Sequence, residues 1–338
     1  MIGFQYARAG DVTDAVRLMA GDPRAKFVAG GTNLIDLMKM DVERPSMVID
    51  INRLPLKEVE EVPGGGLRIG ALVRNTDLAY NALVEERYPV LASALLAGAT
   101  QQLRNMASTG GNLLQRTRCH YFYDTATPCN KREPGSGCSA IGGQNRMHAI
   151  LGASDACIAV HPSDMCVAMA MLEAMVRVTG ASGERAIPFA EFHRLPGETP
   201  ERDTNLSAGE IITAVELPPR GFATNYTYLK IRDRLSYAFA LVSVAAGLEL
   251  EGGTIKEGHF ALGGIAHKPW RDPQAEAALR GQPANAKTFA LAADIFLRDA
   301  EGYEHNAFKI DLARRCIMRA LSQAAAGTPQ SQSSKKIV

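Results

Sequence analysis

The chain has 338 residues, a formal net charge of +1, and 46% hydrophobic against 22% charged residues. This composition is typical of a globular protein of two or three domains and excludes a fibrous or broadly disordered chain. The balanced charge gives no electrostatic footprint for nucleic acid, and no apolar run approaches the roughly 18 residues of a membrane helix, so neither nucleic-acid binding nor direct membrane insertion is expected.

The N-terminus lacks the long apolar core of a signal peptide. Apolar periodicity and turn residues predict these elements in the first half: a helix over 11–20, a strand from Lys26 to Ala29, a helix from Ile35 to Met40, strands from Val48 to Ile51 and from Leu67 to Gly70, and a long helical stretch over about 87–104.

Two glycine-rich loops, Gly30 to Leu34 and Gly110 to Leu114, interrupt these elements about 80 residues apart. Glycine lets backbone amides wrap an anion, so each loop is a candidate phosphate cradle. Neither loop is a Rossmann fingerprint or a Walker A loop. A single Gly-Gly turn is usually only a turn, but two similar loops beside a cysteine cluster favour a nucleotide site.

Four of the six cysteines, Cys119, Cys129, Cys138 and Cys157, follow the second loop in a segment rich in proline and glycine. Four thiolates can ligate an iron–sulfur cluster or a tetrahedral zinc. Structural zinc usually takes Cys-x2-Cys pairs, which this chain lacks, so iron–sulfur is favoured over zinc. Disulfides and unrelated buried thiols remain alternatives, and Cys166 and Cys316 in apolar stretches are assigned to the core.

The second half changes to alternating strand patterns at Ile211 to Leu217, Tyr226 to Ile231 and Val242 to Leu250, followed by helices to about Ala326. A domain boundary is therefore predicted near residues 178–188. Residues 327–338 are rich in Ser, Gln and Lys and are predicted to be a disordered tail.

Several segments together resemble the FAD-binding subunits of the molybdenum hydroxylases, the xanthine dehydrogenase and CO dehydrogenase family. They are Lys26 to Leu34, Ser108 to Leu113, His161 to Asp164 and Leu262 to Arg271. The resemblance covers nearly the whole chain. Through the run Thr117 to Cys138 and the run Ser236 to Ala245, the chain most resembles the family branch from bacterial periplasmic aldehyde oxidoreductases, which has a similar cysteine-bearing insertion.

The resemblance implies an α+β fold: a two-lobed FAD-binding domain of the PCMH type over 1–180, followed by a C-terminal α+β domain, an antiparallel sheet with helices, over 188–326. The lobes would span about 1–57 and 58–180, and the iron–sulfur insertion about 116–158.

The resemblance also implies the cofactor ligands. The first loop would hold the FAD pyrophosphate on its backbone amides, through Lys26, Phe27, Val28, Ala29, Gly30, Gly31, Thr32, Asn33 and Leu34. The second loop would contribute Ser108, Gly110, Gly111 and Asn112, with Thr117 beyond it. Asp164 would bind the polar chain of the flavin, with a helix N-cap as the alternative, and Lys230 would lie near the isoalloxazine end, with a surface lysine as the alternative. The four cysteines would ligate a 4Fe-4S cluster.

By resemblance the chain is an electron-transfer subunit without catalytic residues of its own. A molybdenum-cofactor partner would oxidise the aldehyde, a 2Fe-2S subunit would pass the electrons to the FAD of this chain, and an external acceptor would remove them. The expected assembly is a heterotrimer, exported to the periplasm on a partner's signal, with a cytoplasmic location as the alternative.

Three other functions remain open at this level. The first is the flavin subunit of a hydroxybenzoyl-CoA reductase, the second is a zinc-binding scaffold without redox activity, and the third is a stand-alone oxidase with covalent flavin. His120, His148 and His161, which lie near the cysteines in sequence, are assigned structural or surface roles because four cysteines already satisfy a cluster.

Overall fold

A computed structural model describes residues 1–332 of the chain. Its strands are β1 (Gln5–Arg8), β2 (Lys26–Val28), β3 (Met47–Asp50), β4 (Val59–Glu61), β5 (Leu67–Gly70), β6 (Met175–Gly180), β7 (Gly183–Pro188), β8 (Ile211–Leu217), β9 (Tyr226–Ile231), β10 (Val242–Glu251) and β11 (Thr254–Gly263). Within residues 1–332, no helix has the length and apolar character needed to span a bilayer.

The helices lie between these strands and after the last of them. They are α1 (Val12–Ala20), α2 (Leu34–Lys39), α3 (Asn75–Ala79), α4 (Ala82–Arg87), α5 (Pro89–Ala97), α6 (Gln101–Arg104), α7 (Thr109–Leu113), α8 (His120–Tyr123), α9 (Asp164–Met171), α10 (Phe189–Phe192), α11 (Pro273–Ala277), α12 (Ala286–Phe296) and α13 (Phe308–Ala325).

Three sheets organise the α+β fold. A small parallel sheet has the order β1-β3-β2, a five-stranded sheet has the order β4-β5-β8-β6-β7, and a three-stranded sheet has the order β11-β10-β9. All pairs in the last two sheets are antiparallel. The predicted α+β class is therefore confirmed, with an antiparallel C-terminal sheet covered by α13.

Helices α5 and α9 form the centre of the main core. Every residue of α9 and most residues of α5 are buried, because both helices are apolar on nearly all faces. They pack on each other and on the strands of the C-terminal sheet. This position places the first residue of α9, Asp164, in the interior.

The structure changes the predicted domain boundary. Strand β8 was assigned to the C-terminal domain, but it lies between β5 and β6, with Leu217 opposite Leu67 and Val215 opposite Val176. Its apolar side chains belong to the same core as theirs. The first structural unit therefore extends beyond Leu217, because a central strand cannot be separated from its hydrogen-bonding neighbours.

The long helix predicted over 87–104 is broken in the structure. Helix α5 ends at Ala97, Ala99 has a left-handed φ of 51°, and Thr100 caps α6 by accepting a hydrogen bond from the Leu103 amide. The apolar periodicity continues across the break, so it could not reveal the change of direction.

Part of the predicted disordered tail is in contact with β9. The Gln330 amide donates to Thr227 Oγ1 at 3.0 Å, and Gln332 Nε2 donates to the carbonyl oxygen of Tyr228 at 3.2 Å. The start of this segment thus hydrogen-bonds through its backbone and side chains to β9, which lies at the edge of its sheet. Residues 333–338 lie outside the described residues.

Candidate functional site

A cleft of about 1140 Å³ brings together residues between Met19 and Phe239 that are widely separated in sequence. The predicted residues that line it are Lys26, Phe27, Val28, Ala29, Gly30, Gly31, Thr32, Asn33, Leu34, Ser108, Gly110, Gly111, Asn112, Asp164 and Lys230. Thr117 is the exception. It lines a smaller adjoining pocket together with Cys119 and His148, and its Oγ1 accepts a hydrogen bond from the Cys119 amide at 3.3 Å.

The first glycine loop presents unused amide donors to the cleft. Within residues 1–332, the backbone N–H groups of Gly30 to Leu34 have no protein acceptor. The Asn33 side chain accepts a hydrogen bond from the Arg116 amide at 2.9 Å, while its buried Nδ2 has no partner there. Because buried donors are normally satisfied, this loop is suited to an anionic or polar ligand.

Glycine at position 30 is required by close packing of the two loops. A Cβ placed on Gly30 would lie 1.8 Å from the Met106 carbonyl oxygen, just before the second loop. Gly31 has a φ of 71°, in the left-handed region that glycine adopts without strain. The first loop therefore keeps its shape only with these two residues.

The second glycine loop differs from the first because its amides are already used. Residues Thr109–Leu113 form a short helix, with Ser108 as its N-cap. The Gly110 amide donates to the Ala71 carbonyl at 2.8 Å, and the Gly111 amide donates to Ser108 Oγ at 3.3 Å. The prediction of a second amide cradle is thus not supported at these donors, and what the segment offers the cleft is side chains and close backbone approach.

Asp164 and Lys230 form a buried ion pair at the cleft. Lys230 Nζ donates to Asp164 Oδ2 at 2.7 Å, and the Tyr228 hydroxyl donates to Asp164 Oδ1 at 2.6 Å. Burial, followed by the Asp164 charge, raises the pKa of Tyr228 well above its usual value and keeps it protonated. Both alternatives are wrong: the N-cap of α9 is Ser163, whose Oγ accepts from the Cys166 amide, and Lys230 is buried.

The four clustered cysteines lie near one another in the insertion. Cys129 and Cys138 face each other in a backbone bridge. Burial, together with the proximity of Cys129 and Cys157, raises the pKa of Cys119 to about 12. Burial raises the pKa of Cys157 to about 11, with Cys138 and Cys129 also contributing. All six cysteines of the chain are free thiols, so the structure has no disulfide between them.

Hydrogen-bond donors surround the Cys119 sulfur. The amides of Tyr121 and Phe122 point to it and oppose the rise in its pKa, and His148 Nε2 lies 3.1 Å from Sγ. The Ala159 amide donates to the Cys157 sulfur at 3.5 Å. A thiol in the apolar core does not need such donors, whereas a thiolate that ligates a metal centre is stabilised by them.

A network of partly buried charges ties the cysteine insertion to the first loop region. Arg116 Nη1 donates to Glu43 Oε1 at 2.7 Å, and its Nε donates to Asp203 Oδ2 at 2.8 Å. The buried ammonium group of Lys131 contacts Asp203 and donates to the Pro200 carbonyl at 2.7 Å. Despite the burial of Asp203, the charges of Lys131 and Arg116 hold the pKa of its carboxyl well below its usual range.

His161, His193 and Cys166 form a further polar group beside the cleft. Their potential ligand atoms lie within 4.8 Å of one another, and the two imidazole rings are 4.3 Å apart. His193 Nε2 lies 2.9 Å from the Leu113 carbonyl, and burial lowers the pKa values of both histidines, His193 to about 4. The pair is thus neutral at pH 7, and His161 lies partly exposed at the cleft wall.

Sequence reasoning missed Arg116, Lys131, Asp203 and His193. Each acts through partners distant in the chain: Arg116 and Asp203 are separated by 87 positions. No local spacing indicates such a pair. The one sequence signal for these residues is the presence of charged side chains in the cysteine segment. Because a charged side chain that becomes buried is normally paired, such residues are candidates for ion pairs.

Comparisons with known proteins agree with this arrangement. Residues 2–220 match the family described as the FAD binding domain in molybdopterin dehydrogenase, and residues 226–324 match the CO dehydrogenase flavoprotein C-terminal domain. The first match includes β8, as the sheet requires.

Individual proteins match over most of their length. The chain is 51% identical to the aldehyde oxidoreductase FAD-binding subunit PaoB of Escherichia coli, covering 96% of this chain and 99% of the relative. It is 29% identical to the glyceraldehyde dehydrogenase medium chain of Sulfolobus acidocaldarius, covering 83% of each. A carbon monoxide dehydrogenase structure from Hydrogenophaga pseudoflava has a TM-score of 0.76 at 26% identity, covering 97% of this chain and 99% of that chain.

The charge network predicts an acid-dependent stability difference. Asp203→Asn leaves the Lys131 ammonium without its carboxylate and should lower the free energy of unfolding at pH 7 by about 3 kcal/mol. Because the folded-state pKa of Asp203 is depressed, its stabilisation is present above its unfolded pKa of about 4 and is lost as the pH falls further. Urea unfolding from pH 7 to pH 3 should therefore show the deficit shrinking below about pH 4.

Asp299→Asn is the matched control, since the Asp299 side chain is 79% exposed. It should stay within about 0.5 kcal/mol of the wild type at each pH. A deficit for Asp203→Asn that does not vary with pH would contradict the assignment of a depressed pKa to Asp203.

Proposed function

The chain belongs to the FAD-binding subunits of the molybdenum hydroxylase family, and on that premise we propose that it is the FAD- and 4Fe-4S-containing electron-transfer subunit of a molybdenum-dependent aldehyde oxidoreductase. In this proposal the chain passes electrons from partner 2Fe-2S centres to an external acceptor. The observation that supports it most is the free amide row of Gly30 to Leu34, facing a cleft next to four gathered cysteines.

The residues present fit FAD. The free amides of the first loop and the unpartnered Nδ2 of Asn33 provide donors for the pyrophosphate, without a charged side chain. The Asp164 carboxylate keeps a free lone pair on each oxygen after its two hydrogen bonds, so it can still accept from a hydroxyl of the polar chain. When bound, the flavin supplies one- and two-electron chemistry, and the chain supplies binding, orientation and a desolvated site.

The cysteine segment fits an iron–sulfur cluster better than mononuclear zinc. Tetrahedral zinc with bonds of about 2.3 Å holds its sulfurs about 3.8 Å apart. Among the described residues, the side chains grouped closely enough to hold a single metal ion are His161, Cys166 and His193, and the four cysteines of the insertion are not among them. A larger cluster spaces its four thiolates more widely, and the amide donors on Cys119 and Cys157 suit its anionic sulfurs.

The partners follow from the relatives. The matched proteins are named as a FAD-binding subunit and medium chains, which implies companion subunits. The proposed assembly is a heterotrimer with a molybdenum-cofactor catalytic subunit and a 2Fe-2S subunit, in which the aldehyde is oxidised on the former. We further propose a periplasmic location through a partner's export signal, and finding the assembled complex only in spheroplast cytosol would rule it out.

The first loop generates a prediction about FAD binding. Gly30→Ala places a methyl group against the Met106 carbonyl and must displace one of the two loops. We expect the Kd for FAD to rise about tenfold or more, which corresponds to about 1.4 kcal/mol. Titration of flavin-depleted complex with FAD, followed by flavin fluorescence, measures this change.

Gly10→Ala provides the control, since a Cβ there has only Asp14 Oδ2 nearby, at 3.9 Å. It should bind FAD like the wild type. Wild-type affinity in Gly30→Ala would count against the first loop as the FAD site, and flavin that stays with acid-precipitated protein would point to the covalent oxidase.

The cluster is tested by anaerobic purification with the partner subunits, quantification of iron, zinc and FAD, and EPR of the dithionite-reduced complex. Cys129→Ser should lose four irons and one EPR signal while keeping FAD and the 2Fe-2S signals. Cys316→Ser, which changes a thiol buried in α13, should keep all of them. A wild-type protein that contains zinc and no flavin would support the zinc-binding scaffold. A complex that does not oxidise aldehydes would favour the flavin subunit of a hydroxybenzoyl-CoA reductase.

A further inference from the structure

Among residues 1–332, His148 is the one residue whose ring nitrogen lies within hydrogen-bond distance of a cysteine sulfur of the insertion. Its Nε2 lies 3.1 Å from Cys119 Sγ, and the residue is only 3% exposed. The sequence alone predicts a structural or surface role for this residue. The geometry instead gives it a direct contact with a proposed cluster ligand.

The direction of this hydrogen bond follows from chemistry. A cysteine that ligates iron is a thiolate, which has no proton to donate and accepts hydrogen bonds. The imidazole must then carry its proton on Nε2, a condition that both the Nε2 tautomer and the doubly protonated ring fulfil. His148 Nδ1 is buried and has no hydrogen-bond partner within residues 1–332, so no competing contact turns the ring away from the sulfur.

The backbone of His148 is fixed from both sides. Its amide donates to the Asn145 carbonyl at 2.9 Å, and its own carbonyl accepts from Asn306 Nδ2 at 3.2 Å and from Lys309 Nζ at 2.8 Å. Asn306 and Lys309 are fully buried and belong to the C-terminal part of the chain. The ring is therefore held against Cys119 by a contact between the insertion and the segment that begins α13.

The surroundings of Cys119 connect this contact to the cleft. A pocket of about 120 Å³ is lined by Cys119, His148, Ser163 and Asp164, and the last two residues also line the large cleft. The hydrogen bond thus lies on the side of the cysteine group that faces the proposed flavin site.

We propose that His148 is a positioning and tuning residue: it donates Nε2–H to the Cys119 thiolate and raises the reduction potential of the cluster. This inference rests on the proposed function, because it presupposes the cluster. Reduction adds one electron to the cluster and increases the negative charge on its sulfurs. An N–H···S bond is stronger to the more negative state, so it stabilises the reduced form and raises the potential.

The test is a dye-mediated redox titration of the complete complex, followed by EPR of the reduced cluster, with FAD and the 2Fe-2S centres as references in the same sample. His148→Leu removes the donor. At a fixed potential we expect the ratio of reduced to oxidised cluster to fall on the order of tenfold, about 59 mV for a one-electron couple. His148→Gln offers an amide donor and should recover part of the shift.

His120→Leu is the matched control. His120 is adjacent to Cys119 in sequence but exposed, and its loss should leave the cluster potential unchanged. A His148→Leu potential equal to that of the wild type would overturn the inference, and so would an equal shift in His120→Leu. A shift of FAD or of the 2Fe-2S centres instead of the cluster would also overturn it.

A second measurement covers the case in which His148→Leu does not retain the cluster. Pulsed EPR of the wild-type complex with ¹⁵N-labelled histidine should show a nitrogen coupling to the reduced cluster that disappears in His148→Gln. Absence of this coupling in the wild type would refute the hydrogen bond. If the wild-type complex contains no cluster that Cys129→Ser removes, the proposed function itself fails, and this result is distinct from every outcome that concerns His148.

Discussion

The buried ion pair between Asp164 and Lys230 is the constraint on which the cleft depends. It joins the first residue of the central helix α9 to strand β9 of the C-terminal sheet, and Tyr228 completes the hydrogen bonding of the carboxylate. Buried charges are stable only when paired, and removing one partner of such a pair typically costs about 3–5 kcal/mol. The polar floor of the cleft and the contact between two structural units are thus maintained by the same interaction.

The two glycine loops have similar sequences but differ in whether their backbone amides are hydrogen-bonded within the protein. In the first loop the amides of Gly30 to Leu34 remain free, whereas in the second the amides of Gly110 and Gly111 bond to Ala71 and Ser108. The difference arises because Ser108 caps a helical turn that packs on the neighbouring backbone. The first loop therefore presents donors to a ligand, and the backbone of Met106 and Ala107, just before the second loop, is the surface against which Gly30 packs.

Local patterns predicted six of the eleven strands of the described chain, the first glycine loop and the cysteine-rich segment, because alternation, glycine and thiol content are properties of short segments. They did not give the break at Ala99, the N-cap at Ser163 or the central place of β8, because each of these depends on contacts made after the chain has folded. The same reason explains why Lys230 could be read as a surface residue. Its partner, Asp164, is 66 positions away.

Charge balance connects the cysteine insertion to the C-terminal helix. Burial lowers the pKa of Lys309 to about 7, and among the described residues its ammonium contacts only the carbonyls of His148 and Gly264. Nearby, burial raises the pKa values of Cys119 and Cys157, so the interior here disfavours the charged forms of both the lysine and the two cysteines. A cluster held by four thiolates is anionic, and its charge would favour the protonated lysine while its iron favours the thiolates. The proposed cluster therefore offsets two opposite electrostatic costs that the folded chain would otherwise carry in the same region.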